Sequence, residues 1–289
     1  MFCLETRKLK LKLEIVPVAS LHQHEEILVP TIDKLVLEFK NWTNLHHPII
    51  IDDHHIVLDG NHRAFAFKKL KFKYIPACKI DYLNKKVELR YWFRVVGQCG
   101  DLTIVEKIVR SMGGAIHLVA NRNILKAELD RYRFSCGIQL GDRCALVSFP
   151  ENMIKDAVDA YGALETIQAE LKKGGLGLTY TPCNEILDKD TCPFVEDGDL
   201  VIWTPRISKE MVIQASSEGK VFPPKSTRHL IPARPLQINV PTHWLKDNVS
   251  LRVINKKFDD HLTAKTIKRF SPGQVIDGRY YQEELFVFI

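Results

Sequence analysis

A short stretch from Ile56 to Phe67 limits the fold of this chain more than any other feature. An apolar run ends at Asp59-Gly60, and an amphipathic segment begins directly after it. This pattern predicts a strand, a tight turn and a helix, because glycine adopts turn conformations that other residues avoid. A helix that opens at Asn61 or His62 would direct backbone N–H groups and the positive end of its dipole at one point. The stretch therefore predicts an anion site, most usefully one for phosphate.

The side chains of this turn fit the same chemistry. His62 and Arg63 can donate to phosphate oxygens, Arg63 through a bidentate fork. Asp59 places a carboxylate beside the anion, which is favourable only when a cation or a sugar hydroxyl lies between them. A Mg²⁺-bound nucleotide meets both conditions. The spacing equally allows a purely structural interpretation, in which Asp59 caps the helix, Gly60 turns the chain and the first helical turn faces solvent.

The sequence Asp59-Gly-Asn-His-Arg63, followed by an apolar helix, resembles the signature turn of the ParB/sulfiredoxin superfamily. Sulfiredoxins carry a catalytic cysteine before the His-Arg pair, where this chain has Asn61, so their chemistry is not expected. ParB proteins have a Gly-Glu-Arg-Arg version and continue into a helix-turn-helix domain. Free L-serine kinases have Asp-Gly-His-His-Arg, and only Asn61 departs from that version.

A second stretch, from Pro223 to Pro235, also resembles the free serine kinases. Its prolines stiffen a loop rich in groups that donate to phosphate or carboxylate, although a basic surface loop is the simpler alternative. Pro-Pro-Lys-Ser-Thr-Arg-His followed by Ile-Pro-Ala-Arg-Pro is similar to the C-terminal substrate loop of these kinases. The resemblance implies that the substrate is bound by Lys225, Ser226, Thr227, Arg228 and His229.

Two further candidates depend on the same resemblance. Glu25 and Glu26 are adjacent carboxylates in a polar loop, where either could take a proton from a hydroxyl group or simply be solvated. The serine kinases place their proposed base in this loop, and we prefer Glu25 because it directly follows His24. Trp92 stands where these kinases hold a tryptophan against the amino-acid substrate, while packing in the core is the alternative.

Length and composition limit the class of protein. The 289 residues, 45% of them hydrophobic, suffice for one large or two modest domains. The net charge of +6 suits an anionic ligand as well as nucleic acid. Seven scattered cysteines without a C-x-x-C spacing indicate reduced thiols, and no apolar run is long enough for a membrane span. We therefore expect a cytoplasmic protein without a membrane partner.

The order of elements predicts an α+β fold. The first part reads as strand, helix, hairpin, helix and strand: Lys10 to Val18, a helix capped by Thr31, Pro48 to Leu58, Ala64 to Leu70, and Lys73 to Cys78. We expect residues 1–98 to form a ParB/sulfiredoxin-like nucleotide-binding domain. Residues 99–289 are expected to form a second, α/β domain that completes the substrate site.

The resemblance implies a kinase that phosphorylates free L-serine to O-phospho-L-serine with Mg²⁺ and ADP or ATP. Residues 59–63 would hold the nucleotide phosphates, with Asp59 as the expected Mg²⁺ ligand, and Glu25 or Glu26 would take the hydroxyl proton. The alternative is a ParB-like regulator that binds nucleotide and DNA. No helix-turn-helix with a basic recognition helix follows the first domain, so a nucleic-acid partner is not expected. The sequence does not choose between ADP and ATP.

Overall fold

The structure is a computed structural model, and it describes residues 2–27, 29–182, 195–196 and 198–289. Two compact units are present. Unit 1 comprises Met1–Glu88 and His229–Ile289, and unit 2 comprises Leu89–Arg228. Among the helices described, none combines the length and the hydropathy that a membrane span requires.

The main sheet of unit 1 has five strands: β1 (Phe2–Glu5), β2 (Lys10–Pro17), β4 (Ile49–Ile51), β5 (Val57–Asp59) and β6 (Tyr74–Lys79). Their order is β1-β2-β6-β4-β5, and only the β4–β6 pair is parallel. The alternation predicted for β2 is confirmed, since Leu11, Leu13 and Ile15 are almost completely buried. The predicted hairpin is the antiparallel pair of β4 and β5, and it leads directly into the Asp59-Gly60 turn.

Three helices accompany this sheet: α1 (Val29–Asn41), α2 (Asn61–Lys69) and α7 (Leu251–Thr263). Helix α1 begins two residues before Thr31, so the predicted cap lies inside the helix. Helix α7 is fixed to β2 by Asn255, whose amide bonds both the N–H and the C=O of Ile15. The C-terminal part of the chain is thereby built into the core of unit 1.

The other strands of unit 1 form three small sheets. β15 (Ala233–Leu236) runs parallel to β20 (Glu284–Phe288), which pairs on its other side with β17 (Ile267–Phe270). The two remaining pairs are antiparallel: β3 (Asn44–Leu45) with β16 (Val240–Pro241), and β18 (Gln274–Ile276) with β19 (Arg279–Tyr281). Two 3-10 helices complete the unit: Val18–Ser20 and Thr242–Leu245.

Unit 2 contains one six-stranded sheet. Its strands are β8 (Trp92–Val96), β9 (Ala115–Val119), β10 (Cys136–Leu140), β11 (Arg143–Ser148), β12 (Leu178–Pro182) and β13 (Leu200–Trp203). Their order is β12-β8-β13-β10-β11-β9, and every neighbouring pair is antiparallel. Four helices of the unit lie within the described residues: α3 (Thr103–Ser111), α4 (Arg122–Arg131), α5 (Ala157–Lys173) and α6 (Lys209–Ser217).

Helix α5 is longer than its glycine would suggest. The residues from Asn152 to Leu171 have a helical pattern in which Gly162 predicts an interruption, but α5 continues through this residue. A glycine inside a helix costs about 1 kcal/mol relative to alanine. Burial of the apolar face, including Tyr161 and Leu164, more than offsets that cost.

The predicted α+β class is confirmed, and the antiparallel sheet makes unit 2 α+β as well rather than α/β. The division of the chain differs from the expected domains 1–98 and 99–289. The chain leaves unit 1 at Leu89 and returns to it at His229. Each of the two boundaries between the units falls within a short strand. The first lies in β7 (Glu88–Arg90), and the second lies in β14 (Arg228–Leu230).

Candidate active site

The turn between β5 and α2 has the predicted geometry. Gly60 lies in the left-handed region with φ of 94°, which other residues adopt only with strain. A Cβ atom at this position would lie 2.7 Å from Ile49 Cγ2 and 2.9 Å from Arg63 Nη2. Glycine is therefore required here by both conformation and space. Within the described part of the chain, no side chain caps the N-terminus of α2, which begins at Asn61 as predicted.

Asp59, at the end of β5, lies in a chain of charged side chains within unit 1. Its Oδ2 atom accepts hydrogen bonds from Arg234 Nη1 at 2.6 Å and from Arg63 Nη2 at 3.2 Å. Arg234 also donates from Nε to Glu283 Oε1 at 2.7 Å. Only 8% of the Arg234 side chain and 15% of the Glu283 side chain is exposed, against 29% for Asp59. The chain of charges thus reaches solvent mainly through Asp59.

The charge of Asp59 is strongly favoured by these neighbours. Burial alone would raise the pKa of its carboxyl, but the positive charges of Arg234 and Arg63 outweigh burial and hold the pKa well below its usual range. Both arginines contact the same oxygen, and no described residue donates to the other oxygen, Oδ1. Asp59 is therefore an anion with one oxygen fixed inside the protein.

Arg63 has more internal partners than the sequence suggests. Its Nη1 donates to the carbonyl oxygens of His47 at 2.8 Å and Pro48 at 2.9 Å, besides the contact of Nη2 with Asp59. A guanidinium has five N–H donors, and three contacts are made within unit 1. Arg63 thus holds the turn against the segment before β4, and His62 stands half-buried beside it in the first turn of α2.

The loop that carries the two candidate bases is attached to this turn. His22 forms an isolated parallel bridge with Ile56: its N–H donates to His55 O at 3.0 Å, and its C=O accepts from Val57 N at 2.9 Å. The side chain of Gln23 donates to Asn61 O at 3.3 Å. The loop and the Asp59–Arg63 turn are therefore held together within unit 1.

The structure distinguishes Glu25 from Glu26. Glu25 is half-buried, whereas Glu26 is exposed. Directly before Glu25, the buried His24 ring contacts the ring of His229 edge-on, with centroids 5.2 Å apart. Burial lowers the pKa of His24, so its ring is neutral near pH 7. His229, the last residue of the predicted substrate loop, also lies 2.8 Å from Tyr82 Oη through Nε2.

A second group of predicted residues lies in unit 2. Trp92 donates from Nε1 to Thr227 O at 3.1 Å. The ammonium of Lys225 lies 4.8 Å from the centroid of the Trp92 ring, and the guanidinium of Arg228 lies 5.6 Å from it. Such distances are typical of cation–π contacts. The structure thus brings Trp92 together with the Lys225–Arg228 part of the loop.

Ser226 differs from its neighbours in this loop. Its side chain is completely buried, and its hydroxyl donates to Pro223 O at 2.7 Å. Its carbonyl oxygen accepts from the Tyr161 hydroxyl at 3.3 Å. Ser226 was predicted to contact substrate, but this placement suits it to stabilising the loop. Thr227 is also largely buried, and Lys225 and Arg228 remain half-exposed beside it.

A cavity of about 800 Å³ lies in unit 1 next to the Asp59 network. Its lining includes Arg63, Arg234, Arg279 and His47. Burial, reinforced by the charge of Arg63, lowers the pKa of His47 to about 4. The hydrogen bonding of the ring agrees with this lowered pKa, since an Nδ1 atom without a proton accepts a hydrogen bond from Gln237 N at 3.1 Å. His47 is thus a neutral acceptor near pH 7.

The pKa of His47 predicts how stability depends on pH. An unfolded histidine has a pKa near 6.5, so between about pH 6.5 and pH 4 the unfolded chain binds the proton that folded His47 does not. The free energy of unfolding should therefore fall as the pH is lowered through this window. His47→Gln keeps an acceptor for Gln237 and should reduce the fall, as measured by urea unfolding at pH 7 and pH 5.

The exposed His117 provides the control for this measurement. His117→Gln should leave the loss of stability between pH 7 and pH 5 as large as in the unmodified protein. An equal loss in the His47→Gln protein would show that the proton uptake occurs elsewhere.

The residues of the turn fit a magnesium ion that is carried by phosphates. Mg²⁺ prefers oxygen ligands and usually takes one or two from the protein, the rest coming from phosphates and water. Asp59 Oδ1 has no donor among the described residues, and Asn61 Oδ1 is a buried oxygen without a hydrogen-bond partner there. Over the described ranges, no cluster of three or more His, Cys, Asp or Glu side chains forms a metal cage.

Sequence reasoning missed three residues of this site. Arg234 stands in the Ile-Pro-Ala-Arg-Pro segment, which was read as part of the substrate loop, but its guanidinium contacts Asp59 instead. Glu283 and Tyr82 carry no sequence signal at all. The only available sign for Arg234 was its position between two prolines, which predicts a rigid backbone.

The chain is similar in sequence to several known proteins. No family model matches the chain. An ATP-dependent L-serine kinase of Staphylothermus marinus is 26% identical over 244 residues, covering 80% of this chain and 90% of that protein. A ParB-like protein of Sulfolobus acidocaldarius is 26% identical over 76% of this chain and 90% of that protein. An ADP-dependent L-serine kinase of Thermococcus kodakarensis is 25% identical over 65% of this chain and 72% of that protein.

Solved structures give the same relationship at the level of fold. A free serine kinase variant in complex with AMP superposes with a TM-score of 0.64 at 18% identity, covering 84% of this chain and 97% of that chain. The fold of this chain is therefore that of the free serine kinases. Together with the curated relatives, this match confirms the resemblance to the free L-serine kinases within the ParB-like superfamily.

Proposed function

We propose that this chain is a free L-serine kinase, an enzyme that transfers a phosphoryl group from ADP or ATP to the hydroxyl of L-serine. Relatives named as ATP-dependent and as ADP-dependent kinases are identical to this chain at about a quarter of the aligned positions. One observation within unit 1 carries the proposal. The loop of Glu25 is hydrogen-bonded to the Asp59–Arg63 turn on one side and contacts His229 on the other. Three segments distant in sequence are thus brought to one place.

The uncapped N-terminus of α2 is the proposed phosphate site. Its backbone N–H groups and the positive end of the helix dipole favour an anion at this point. The His62 side chain stands in the same turn. We assign to Arg63 an indirect part, since its guanidinium fixes the turn through His47, Pro48 and Asp59.

We further propose that the nucleotide binds with Mg²⁺, held on the protein side by Asp59 Oδ1 with support from Asn61. The metal would reduce the negative charge of the phosphates, which is its usual contribution in phosphoryl transfer. The ion pairs of Asp59 keep its carboxylate ionised, so it stays available for a cation over the whole neutral pH range.

The proton of the serine hydroxyl is taken by Glu25. As the O–H bond breaks, the serine oxygen forms a bond to the terminal phosphorus of the donor. The bond from that phosphorus to the bridging oxygen breaks, and the nucleotide leaves as AMP from ADP or as ADP from ATP. Glu25 suits this task better than Glu26, because a half-buried carboxylate has a defined position near its substrate. Positioning and charge stabilisation then supply most of the rate.

We assign recognition of serine to the basic group of unit 2. Lys225 and Arg228, held on the Trp92 ring, are suited to the substrate carboxylate or to the phosphoryl group that is transferred. The buried Ser226 and the Thr227 carbonyl fix the backbone that carries them. His229 is assigned to the same loop through its contact with His24.

Arg228→Ala should weaken the handling of serine. A hydrogen bond to a charged partner contributes about 1.5–3 kcal/mol, which corresponds to an increase in KM for serine of about tenfold to a hundredfold. The KM for the nucleotide should change little. Steady-state kinetics with each substrate varied in turn measure both constants.

Arg252→Ala is the matched control, since Arg252 is an exposed arginine of α7. It should leave both KM values unchanged. Unchanged serine kinetics in the Arg228→Ala protein would mean that this arginine belongs to an ordinary basic surface loop.

The function itself is tested by a phosphate-transfer assay. Free L-serine, L-threonine and L-homoserine are each incubated with ADP and with ATP in the presence of Mg²⁺, and O-phospho-L-serine is detected by mass spectrometry. We expect the product from serine with at least one donor. Binding to duplex DNA that weakens steeply with salt, without consumption of serine, would instead favour a ParB-like regulator.

We also place the enzyme in the cytoplasm. The five cysteines that the structure describes are free thiols: Cys3, Cys78, Cys99, Cys136 and Cys144. Cys183 and Cys192 lie outside the described residues. Free thiols are maintained in reducing compartments, where a kinase also has its nucleotide supply.

A further inference from the structure

The position of Arg234 is fixed by the backbone on two sides. Arg234 lies in β15, where its register partner is Leu285 of the parallel strand β20. Glu283 directly precedes β20. The pairing of these strands therefore sets the distance between Arg234 and Glu283, and Pro235 further stiffens β15. The guanidinium is held before any ligand arrives.

The contacts of Arg234 divide its donors between two acids. Nε donates to Glu283 at 2.7 Å, and Nη1 donates to Asp59 Oδ2 at 2.6 Å. A planar guanidinium with fixed donors can orient both carboxylates, which an ammonium on a flexible stem cannot do. Because Arg63 contacts the same Asp59 oxygen, rotation of the carboxylate would break two charged hydrogen bonds.

We propose that Arg234, oriented by Glu283, is a positioning residue of the phosphoryl transfer: it fixes the Asp59 carboxylate so that Oδ1 is presented to the donor nucleotide. This inference rests on the proposed function. Arg234 itself reaches the reacting atoms only through Asp59. The charges balance within the group, since Asp59 and Glu283 oppose Arg63 and Arg234. The network thus orients one oxygen without adding a net charge to the site.

The alternative is that the network only stabilises unit 1. Removing one partner of a buried ion pair commonly destabilises a protein, so a loss of activity alone does not separate the two roles. A positioning role predicts a particular pattern instead. The turnover number should fall while the binding of serine stays unchanged, and the loss should depend on the guanidinium group rather than on the stability of the fold.

The first variants are Arg234→Ala and Arg234→Lys, with Arg206→Ala as control. Arg206 is a similarly buried arginine of unit 2 that bonds Asp130 at 2.8 Å. Arg234→Ala should lower kcat by about 10–100-fold, the usual effect of losing a group that orients a functional carboxylate, with KM for serine within about threefold. Arg234→Lys should recover only part of the rate. Arg206→Ala should keep the original kcat.

Three measurements keep the test valid if Arg234→Ala is unstable. In the Arg234→Ala/Glu283→Gln protein the charge of Glu283 is also removed, which should restore stability in thermal unfolding but not kcat. Addition of millimolar guanidinium chloride to Arg234→Ala should restore part of kcat, whereas sodium chloride should not. Calorimetric titration with ADP and Mg²⁺ provides a readout without turnover, and Arg234→Ala should need a higher Mg²⁺ concentration for binding.

The outcomes are separable. If the unmodified protein phosphorylates serine and Arg234→Ala keeps its kcat, or if the double variant recovers kcat with stability, the inference is wrong and the network is structural. If the unmodified protein does not phosphorylate serine, the proposed function fails. The titration then decides the inference alone: an unchanged Mg²⁺ requirement in Arg234→Ala overturns it, and a raised one supports it.

Discussion

Glu25→Gln should lower kcat for serine phosphorylation by about 10²–10⁴-fold, the range that general-base catalysis contributes. Glutamine has nearly the same shape, but its amide cannot accept the hydroxyl proton. The affinity for ADP or ATP should change little, because the site that we propose for the nucleotide phosphates is the N-terminus of α2. Rapid-mixing or steady-state assays of O-phosphoserine formation, together with nucleotide titrations, measure both quantities.

Glu26→Gln is the control that the chain itself offers. Glu26 is adjacent in sequence but exposed, and neighbouring side chains of an extended segment point to opposite sides. This variant should keep nearly full activity. The reverse pattern would exchange the two roles and leave the kinase assignment intact, whereas full turnover in the double variant would show that this loop does not carry the base.

Asp59→Asn should have the second large effect, on activity and stability together. Transfer should fall by about 10²–10³-fold, because the site loses the anion that we propose as the ligand of the metal. The free energy of unfolding should fall by about 3 kcal/mol, near the lower end for breaking a buried ion pair, since Arg234 keeps Glu283 as a partner. Denaturant unfolding measures the change in stability. Enzyme kinetics at temperatures below the unfolding transition measure the change in transfer rate separately.

Asp53→Asn serves as the matched change of an aspartate near the same hairpin. Asp53 is mostly exposed, and its contact with Lys12 spans 3.7 Å. Its loss should alter stability by less than about 1 kcal/mol and leave transfer unaffected. Full activity with the original Mg²⁺ dependence in Asp59→Asn would reduce Asp59 to a structural residue of the turn.

The local elements of unit 1 could be predicted because each is encoded by neighbouring residues. The alternation in β2, the hairpin before the turn and the start of α2 all follow from side-chain period and from Gly60. The domain division could not be predicted in the same way. It depends on pairings such as β3 with β16, and on Asn255 bonding to Ile15, between residues far apart in sequence.

The candidate site shows the same limit. The sequence indicated the turn, the glutamate loop and the basic loop, because each carries a compact pattern of residue types. The sequence predicted that Arg63 and Ser226 contact a ligand directly. The structure shows that much of their hydrogen-bonding capacity is used inside the protein. Which donors are used internally depends on distant carbonyl and carboxylate oxygens. Only the fold places those groups.

Unit 1 is formed by two segments that are separate in sequence, and this sets the order in which the chain can fold during synthesis. Residues 1–88 leave the ribosome early, but their unit lacks α7 and the strands β15 and β20 until the region from His229 onward is made. Unit 2 is continuous, so its six antiparallel strands can pair while unit 1 is still incomplete.

Because of this order, residues 1–88 expose apolar side chains to solvent until the rest of unit 1 has been synthesised. The almost fully buried residues of β2 lack α7, which packs on this strand in the completed protein, and contacts between residues so far apart in sequence form slowly. Exposed β-strands of this kind are prone to associate with other chains. A nascent chain stalled before His229 should therefore present a folded unit 2 together with an aggregation-prone N-terminal sheet, and the hydrogen bonds between Asn255 and Ile15 form only when α7 docks on β2.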